Sequence, residues 1–178
     1  MKGEQRLKKP QRLLDPSKTW DVTFTTNCGS FTVRLDTARA PKTAASFASL
    51  AKKGFYDDLT FHRIAPNFVI QGGDPTGSGS GNPGYTVVER PPRDLKYWHG
   101  VVAMAKSGTE PDGASGSQFF VVIAQDAQLP PQYALVGRVV KGLETVDTIG
   151  VLPLADPSSR DGPPAEPVVI ETATLSSH

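Results

Sequence analysis

Apolar and polar side chains alternate near the start of the chain, and this alternation restricts the fold more than any other feature. The first run places Trp20, Val22 and Phe24 on one side, and a second run repeats the pattern. A period of two is typical of half-buried β-strands. Residues 27–30 between the runs are rich in turn formers, so residues 20–36 are predicted to form a β-hairpin.

Helical signals occur in two places. Pro41 opens a segment whose apolar positions share one helical face, and Gly54 follows its basic last turn. A second, short helix is predicted over 143–149. The remaining β-like runs are residues 59–64, 68–71, 101–105, 118–124, 134–140 and 167–175. Many short strands separated by Gly- and Pro-rich loops favour an antiparallel barrel or sandwich over an alternating β-α-β sheet.

The length and charge of the chain limit the classes of function. With 178 residues we expect a single domain, assigned to 19–176. Nineteen basic and 18 acidic side chains nearly cancel, which does not favour a nucleic-acid partner. Residues 1–18 carry six basic and two acidic side chains, so we expect a flexible basic arm there.

Cysteine and apolar content bear on the cellular compartment. The single cysteine, Cys28, has no partner for an internal disulfide. The basic N-terminus lacks the apolar core of a secretion signal, and the longest apolar run, 119–124, is far too short to span a bilayer. We expect a cytoplasmic monomer without membrane contact, although an anchor upstream would leave these residues unchanged.

The usual catalytic groups are not arranged for metal or nucleophilic chemistry. His62, His99 and His178 do not form a spaced set of metal ligands, and no Gly-x-Ser-x-Gly turn occurs. The glycine-rich segment 72–81 is followed neither by a P-loop lysine nor by a helical pattern, so it is interpreted as a surface loop. We therefore expect neither a metal nor a cofactor.

A candidate binding face lies between residues 61 and 75. Arg63 and Gln71 stand there among large apolar residues on neighbouring extended segments, and residues 117–120 (Ser-Gln-Phe-Phe) repeat that composition. On its strand alone, Arg63 fits a surface salt bridge better. Taken together, the segments predict a pocket for an apolar side chain, bordered by donors aimed at a peptide backbone.

Five segments, in order and spacing, resemble the signature segments of the cyclophilins, the cyclosporin-binding peptidyl-prolyl cis-trans isomerases. They are residues 61–64 (FHRI), Phe68 with 71–74 (QGGD), 102–105 (VAMA), 116–120 (GSQFF) and 135–139 (LVGRV). The resemblance extends over roughly residues 20–175, and residues 129–133 are similar to bacterial members in particular. It implies a closed eight-stranded antiparallel β-barrel capped by two α-helices.

The resemblance also implies an isomerase site that assists protein folding and needs no cofactor. Arg63 is the implied catalytic residue. The ring of the substrate proline would lie against Phe68, Val69, Phe120 and Leu129. Gln71 would hold a backbone carbonyl, and the backbone of Ala105 and Lys106 would pair with the residue before proline. The full implied substrate-binding set is Phe68, Val69, Gln71, Ala105, Lys106, Gln118, Phe120, Gln128, Leu129 and Tyr133.

The implied partners are proline-containing peptides and unfolded or flexible protein segments. Three positions depart from many eukaryotic relatives, because Gln128 stands for a tryptophan, Tyr133 for a histidine and Lys106 for an asparagine. An indole would pack against cyclosporin and bond to it, so we expect this chain to bind the drug weakly.

Two other functions use the same features. A non-catalytic module or scaffold could bind proline peptides in the same groove, although retention of Arg63 favours an enzyme. A small-molecule carrier would need a hollow barrel, whereas side chains commonly fill a barrel of about eight strands.

Overall fold

The computed structural model describes Gly3 and residues 6–178. They form eleven strands and two helices: β1 Trp20–Thr26, β2 Gly29–Leu35, α1 Pro41–Lys52, β3 Leu59–Thr60, β4 Arg63–Ala65, β5 Val69–Gly72, β6 Val87–Val88, β7 Val101–Met104, β8 Ala114–Ser115, β9 Phe119–Val122, β10 Leu135–Lys141, α2 Leu143–Gly150 and β11 Val169–Ser177. The predicted hairpin and both predicted helices are confirmed. The run predicted over 59–64 is divided into β3 and β4, while β6 and β8 are two-residue strands that the alternation does not reveal.

Nine strands form one sheet in the order β3-β11-β1-β2-β10-β7-β9-β5-β4, and β6 pairs with β8 in a second, small sheet. The edge strands β3 and β4 are separated in sequence by Phe61 and His62 alone, so the large sheet must curl strongly to bring its edges near each other. Among the described residues no ladder of hydrogen bonds joins these edges. The mainly β class with two helices is confirmed, but the prediction of a closed eight-stranded barrel is wrong.

The two faces of the sheet carry two separate apolar clusters. Strand β9 shows the division, because Phe119 and Val121 point into one cluster and Phe120 and Val122 into the other. We call the first the inner core. Its largest fully buried side chains include Tyr56, Phe24, Phe31, Phe47, Phe55, Phe61 and Phe119. We call the second the outer cluster. It consists of buried Ala40, Ala65, Val69, Leu95, Tyr97, Ala103, Phe120, Val122 and Leu135, with half-buried Phe68, Val101, Ala105, Ala124, Ala127, Leu129 and Tyr133 around them.

Aromatic rings fill the inner core. Phe24 stacks on Phe31 with ring centroids 5.1 Å apart, and Phe119 lies 5.2 Å from Phe24 and 5.4 Å from Phe47. Such pairs contribute stability beyond the area that they bury. The small-molecule carrier needs a hollow interior, and these rings occupy that space.

The N-terminal arm contacts the sheet domain where it is described. The Leu7 amide donates to the Pro83 carbonyl at 2.8 Å, and Leu7 and Leu14 lie against the inner core. The Trp20 indole donates to the Asp15 carbonyl at 2.9 Å. The predicted flexible arm also includes residues 1, 2, 4 and 5, which lie outside the described residues, and its flexibility stays a prediction. Neither described helix combines the length and apolarity that a membrane span requires.

Candidate functional site

Four neighbouring strands line up the predicted site residues in one row. Arg63 lies directly opposite Gln71, Gln71 opposite Phe120, and Phe120 opposite Ala103. Directly opposed residues of antiparallel strands point to the same face, so this row runs from a cation through an amide to the outer cluster. The register of β4, β5, β9 and β7 thus joins a polar and an apolar surface on one side of the sheet.

A tight turn fixes the hairpin that carries Arg63 and Gln71. The Phe68 amide donates to the Ala65 carbonyl at 3.0 Å, and Asn67 between them has φ +60°. Asparagine is one of the few residues that adopt this left-handed conformation readily. The turn also presents Phe68, whose carbonyl accepts the Ile123 amide at 2.9 Å.

A directional chain of hydrogen bonds runs along the polar end of the row, and we call it the amide relay. Arg63 Nη1 donates to Gln71 Oε1 at 3.1 Å, and Gln71 Nε2 donates to Gln118 Oε1 at 3.1 Å. Gln118 Nε2 donates in turn to the carbonyls of Gly79 and Gly81, at 2.9 and 3.0 Å. Each glutamine therefore uses its oxygen on one neighbour and its nitrogen on the next, which fixes the orientation of both amides.

Asp161 holds the other side of the Arg63 guanidinium. Its Oδ2 accepts Nε at 2.7 Å and lies 2.5 Å from Nη2. The sequence did not indicate this partner, which is 98 positions away in a loop rich in Gly and Pro. Asp161 and Gln71 together use at least three of the five N–H groups of Arg63 and leave the rest for a bound ligand.

The glycine-rich loop that follows β5 is organised around Asp74. This carboxylate is 2% exposed, with Oδ1 accepting the Thr76 amide and hydroxyl and Oδ2 accepting the Gly79 amide. Burial alone would raise the pKa of Asp74, but the hydrogen bonds from Thr76, Gly81 and Gly79 outweigh it and lower the pKa. The loop is thereby held where its carbonyls meet Gln118. Sequence reasoning assigned no role to Asp74.

The apolar end of the row is built from the outer cluster. It brings together the predicted residues Phe68, Val69, Phe120, Leu129 and Tyr133, together with Ala105. The Tyr133 ring packs edge-on against Phe120 with centroids 5.5 Å apart. These side chains form an apolar surface directly beside Gln71.

Tyr97 holds the Tyr133 backbone of this apolar surface in place. It is fully buried, its hydroxyl donates to the Tyr133 carbonyl at 2.7 Å, and it accepts the Tyr133 amide at 3.0 Å. Burial raises the pKa of Tyr97 to about 12. The phenol therefore stays protonated at neutral pH and can keep donating.

Gln128 and Lys106 lie at the rim. Gln128 is exposed with φ +52°, and its amide donates to Asp126 Oδ1 at 2.8 Å. Lys106 Nζ lies 5.7 Å from the centroid of the Tyr133 ring, within range of a cation–π interaction. The Ala105 amide donates to the Gln118 carbonyl at 2.9 Å.

A cavity of about 1030 Å³ lies beside the relay, with both of its glutamines in the wall. Gln71, Ala105, Lys106 and Gln118 belong to its wall, whereas the apolar residues Phe68, Phe120 and Leu129 do not. Some predicted site residues therefore line this cavity and others belong to the outer cluster, while Ala105 belongs to both.

His62 lies next to Arg63 but takes no part in the relay. Burial lowers the pKa of its imidazole, and Nδ1 is buried without a hydrogen-bond partner in the described chain. Over residue 3 and residues 6–178, no three His, Cys, Asp or Glu side chains are grouped closely enough to hold a metal ion.

Comparison with protein families gives a match over residues 21–175 to the model described as cyclophilin type peptidyl-prolyl cis-trans isomerase/CLD. A peptidyl-prolyl cis-trans isomerase-like 1 from Emericella nidulans is 42% identical over 136 residues, which cover 74% of this chain and 82% of the relative. The isomerase CYP18-2 of Arabidopsis thaliana is 36% identical over 134 residues, covering 73% and 80%. These relatives are eukaryotic, so they do not support the predicted likeness to bacterial members in particular.

Two solved structures of a cyclophilin-type isomerase are also similar to this chain. A crystal structure of a cyclophilin-type isomerase from Cryptosporidium parvum superposes with a TM-score of 0.78 and 32% identity, covering 90% of this chain and 99% of that one. A second structure of that protein, determined in the presence of the dipeptide Ala-Pro, has a TM-score of 0.78 and 31% identity, covering 89% and 99%.

Proposed function

The chain belongs to the family of cyclophilin-type peptidyl-prolyl cis-trans isomerases, and from this premise we propose that Arg63 is its catalytic residue. The protein is an isomerase that accelerates rotation about Xaa-Pro peptide bonds. The roles of the individual side chains are the proposal. One observation carries it: Arg63 and Gln71 are held by the relay in the same cross-strand row as Phe120.

The reaction requires stabilisation of a twisted amide. Rotation about a peptide bond has a barrier of ~18–20 kcal/mol, because the C–N bond has partial double-bond character. A ten-thousandfold acceleration requires lowering that barrier by ~5.4 kcal/mol. No covalent bond is made or broken, so the enzyme must bind the twisted amide more tightly than either planar form.

Arg63 supplies a charged donor for this purpose. Asp161 and Gln71 fix the plane of its guanidinium, and its remaining N–H groups are directed to the substrate near the prolyl nitrogen and carbonyl. A hydrogen bond to the prolyl nitrogen favours a pyramidal nitrogen that no longer conjugates with the carbonyl, so rotation becomes easier. Charge-assisted hydrogen bonds in a partly dry cleft can contribute several kcal/mol to such a preference.

The outer cluster binds the proline ring. Phe68, Val69, Phe120 and Leu129 provide its apolar walls, with Tyr133 at the edge. Burying an apolar ring against such a surface stabilises the complex by ~25 cal/mol for each Å² removed from water.

Polar groups align the peptide backbone in the same site. Gln71 Nε2 donates one hydrogen to Gln118, which leaves its second hydrogen to hold a substrate carbonyl. The Ala105 amide is already bonded to Gln118, so the Ala105 carbonyl and the Lys106 amide are the groups that pair with the residue before proline.

Several broader assignments belong to the same proposal. The isomerase domain is 19–176, and it acts as a cytoplasmic monomer on proline-containing peptides and on unfolded or flexible protein segments. It binds cyclosporin weakly, because the exposed Gln128 offers no indole at the rim. It needs no nucleic acid or membrane partner.

The test is the Arg63→Ala variant in a protease-coupled isomerisation assay on a short Xaa-Pro-Phe peptide. We expect kcat/KM to fall at least tenfold while the thermal unfolding curve keeps its cooperative shape. Arg39→Ala is the matched control, because Arg39 forms a comparable surface pair with Asp94 at 3.0 Å outside the site. A folded Arg63→Ala enzyme with an unchanged rate would overturn the assignment. A wild-type chain that binds the peptide without accelerating exchange would instead favour the scaffold.

A further inference from the structure

The basic N-terminal arm contributes to the wall of the cavity beside the relay. The rest of the wall comes from parts of the segments 71–86, 105–110 and 116–118, and Arg6 completes it. This cavity therefore connects a residue near the start of the chain with Gln71 and Gln118, the central members of the relay.

Contacts of neighbouring residues hold Arg6 at this place. The Leu7 amide donates to the Pro83 carbonyl at 2.8 Å, and the Leu7 side chain lies against the inner core. Lys53 Nζ reaches the Lys8 carbonyl at 3.5 Å. The two residues that follow Arg6 are thus attached to the sheet domain, which restricts how far its guanidinium can move from the cavity.

The cavity wall carries an excess of positive charge. Its ionisable groups are Arg6, Lys106, Glu110 and the phenol of Tyr85. Lys106 Nζ donates to the Glu110 carbonyl at 3.2 Å, and the Glu110 carboxylate accepts the Ser107 amide at 2.7 Å. Arg6 is exposed, and within the described part of the chain no hydrogen bond or ion pair involves its guanidinium.

We propose that Arg6 determines substrate specificity by favouring peptides with a carboxylate on the N-terminal side of the proline. The inference rests on the proposed function, in which the Ala105 and Lys106 backbone pairs with the residue before proline. That backbone belongs to the wall of the cavity that Arg6 also lines, so the proposal places side chains at the first or second position before proline in this cavity. An acidic substrate side chain there is attracted by two cations, Arg6 and Lys106. It is repelled by one carboxylate, that of Glu110, which already accepts a hydrogen bond.

The expected size of the effect follows from the exposure of Arg6. An ion pair near solvent contributes up to ~1 kcal/mol, which corresponds to about a fivefold change in kcat/KM. The preference should weaken as salt rises, because the Debye length is ~10 Å at 0.1 M and ~3 Å at 1 M ionic strength.

The experiment compares kcat/KM on three proline peptides that carry Glu, Gln or Lys, placed first one and then two residues before proline. In the unaltered chain we expect about a fivefold preference for Glu over Lys at one of these positions. Arg6→Glu should abolish or reverse this preference while leaving the Gln peptide within twofold of the unaltered enzyme. Arg12→Glu makes the same charge change on an exposed residue of the arm outside the cavity wall, and it should leave the preference intact.

The outcomes separate this inference from the proposed function. Suppose that the Gln peptide is isomerised but the ratio of kcat/KM for Glu to that for Lys is the same in the unaltered chain, Arg6→Glu and Arg12→Glu. The role of Arg6 is then wrong, while the isomerase activity stands. An equal change in both variants would mean that net charge sets the ratio, which also overturns the role of Arg6. A chain inactive on all three peptides would overturn the proposed function itself.

Discussion

Removal of the Asp161 carboxylate should impair catalysis more than it impairs stability. Asp161 contacts Arg63 through Nε at 2.7 Å and also pairs with Nη2, while Gln71 holds only Nη1. Asp161→Ala therefore leaves the guanidinium bound through Nη1 alone. The plane that would present the remaining N–H groups to the prolyl nitrogen is then no longer fixed.

The expected fall in kcat/KM follows from the side-chain torsions of Arg63 that become free to rotate. Each sp³ torsion of the Arg63 side chain has three staggered wells, so freeing one or two of them leaves about a third to a tenth of the population productive. This predicts a threefold to tenfold fall in kcat/KM, equivalent to ~0.6–1.4 kcal/mol. The Arg63 and Asp161 side chains are 34% and 45% exposed, so their ion pair contributes under ~1 kcal/mol to folding.

The assay is the protease-coupled measurement, with urea unfolding of each variant alongside. We expect the order unaltered chain, Asp161→Asn, Asp161→Ala and Arg63→Ala from fastest to slowest, because asparagine keeps an acceptor for Nε without the charge. Asp94→Asn breaks the Arg39 pair elsewhere and controls for the loss of a surface carboxylate. An Asp161→Ala enzyme as fast as the unaltered chain would refute the orienting role, since it would show that Gln71 alone suffices.

Two further predictions concern the loop and the rim. The lowered pKa of Asp74 means that its contribution to stability is present above about pH 4 and is lost as pH falls through the folded-state pKa. Asp74→Asn should cost ~1–3 kcal/mol at pH 7 and flatten the decline in unfolding free energy below pH 4, as measured by urea titration at several pH values. If the variant declines as steeply as the unaltered chain, Asp74 is not responsible. For cyclosporin, calorimetry should give weak binding that Gln128→Trp strengthens at least tenfold, and a nanomolar Kd for the unaltered chain would contradict this.

Local patterns predicted the elements that present the site. The alternation around Trp20 defined the first hairpin, and Pro41 and Gly54 marked the ends of α1 because the signals lie within a few residues. The Phe119-Phe120 pair shows the limit of such reasoning. A continuous apolar run predicts a strand buried on both faces, but it does not reveal that one ring belongs to the inner core and the next to the outer cluster.

Partners that are distant in sequence escaped prediction for a physical reason. Asp161 meets Arg63 because a loop near the end of the chain folds back beside β4, where Gly162 and Ile64 exchange backbone hydrogen bonds at 2.7 and 3.0 Å. Nothing in the local composition of either segment encodes that contact. Closure of a sheet also depends on long-range geometry. The strand pattern left a barrel or a sandwich open, and the closed barrel that the family resemblance implied is wrong because no ladder joins β3 and β4 in the described residues.

The relay explains why two glutamines stand between the arginine and the glycine-rich loop. A glutamine amide both accepts and donates, so it can transmit a fixed orientation from the loop carbonyls to Arg63. Amides do not ionise in water, and an arginine guanidinium keeps its charge in proteins. A carboxylate or imidazole in the place of Gln71 would tie the geometry of the cation to pH. Two carboxylates lie instead at the two ends, Asp161 on Arg63 and Asp74 beneath the loop, where each accepts hydrogen bonds.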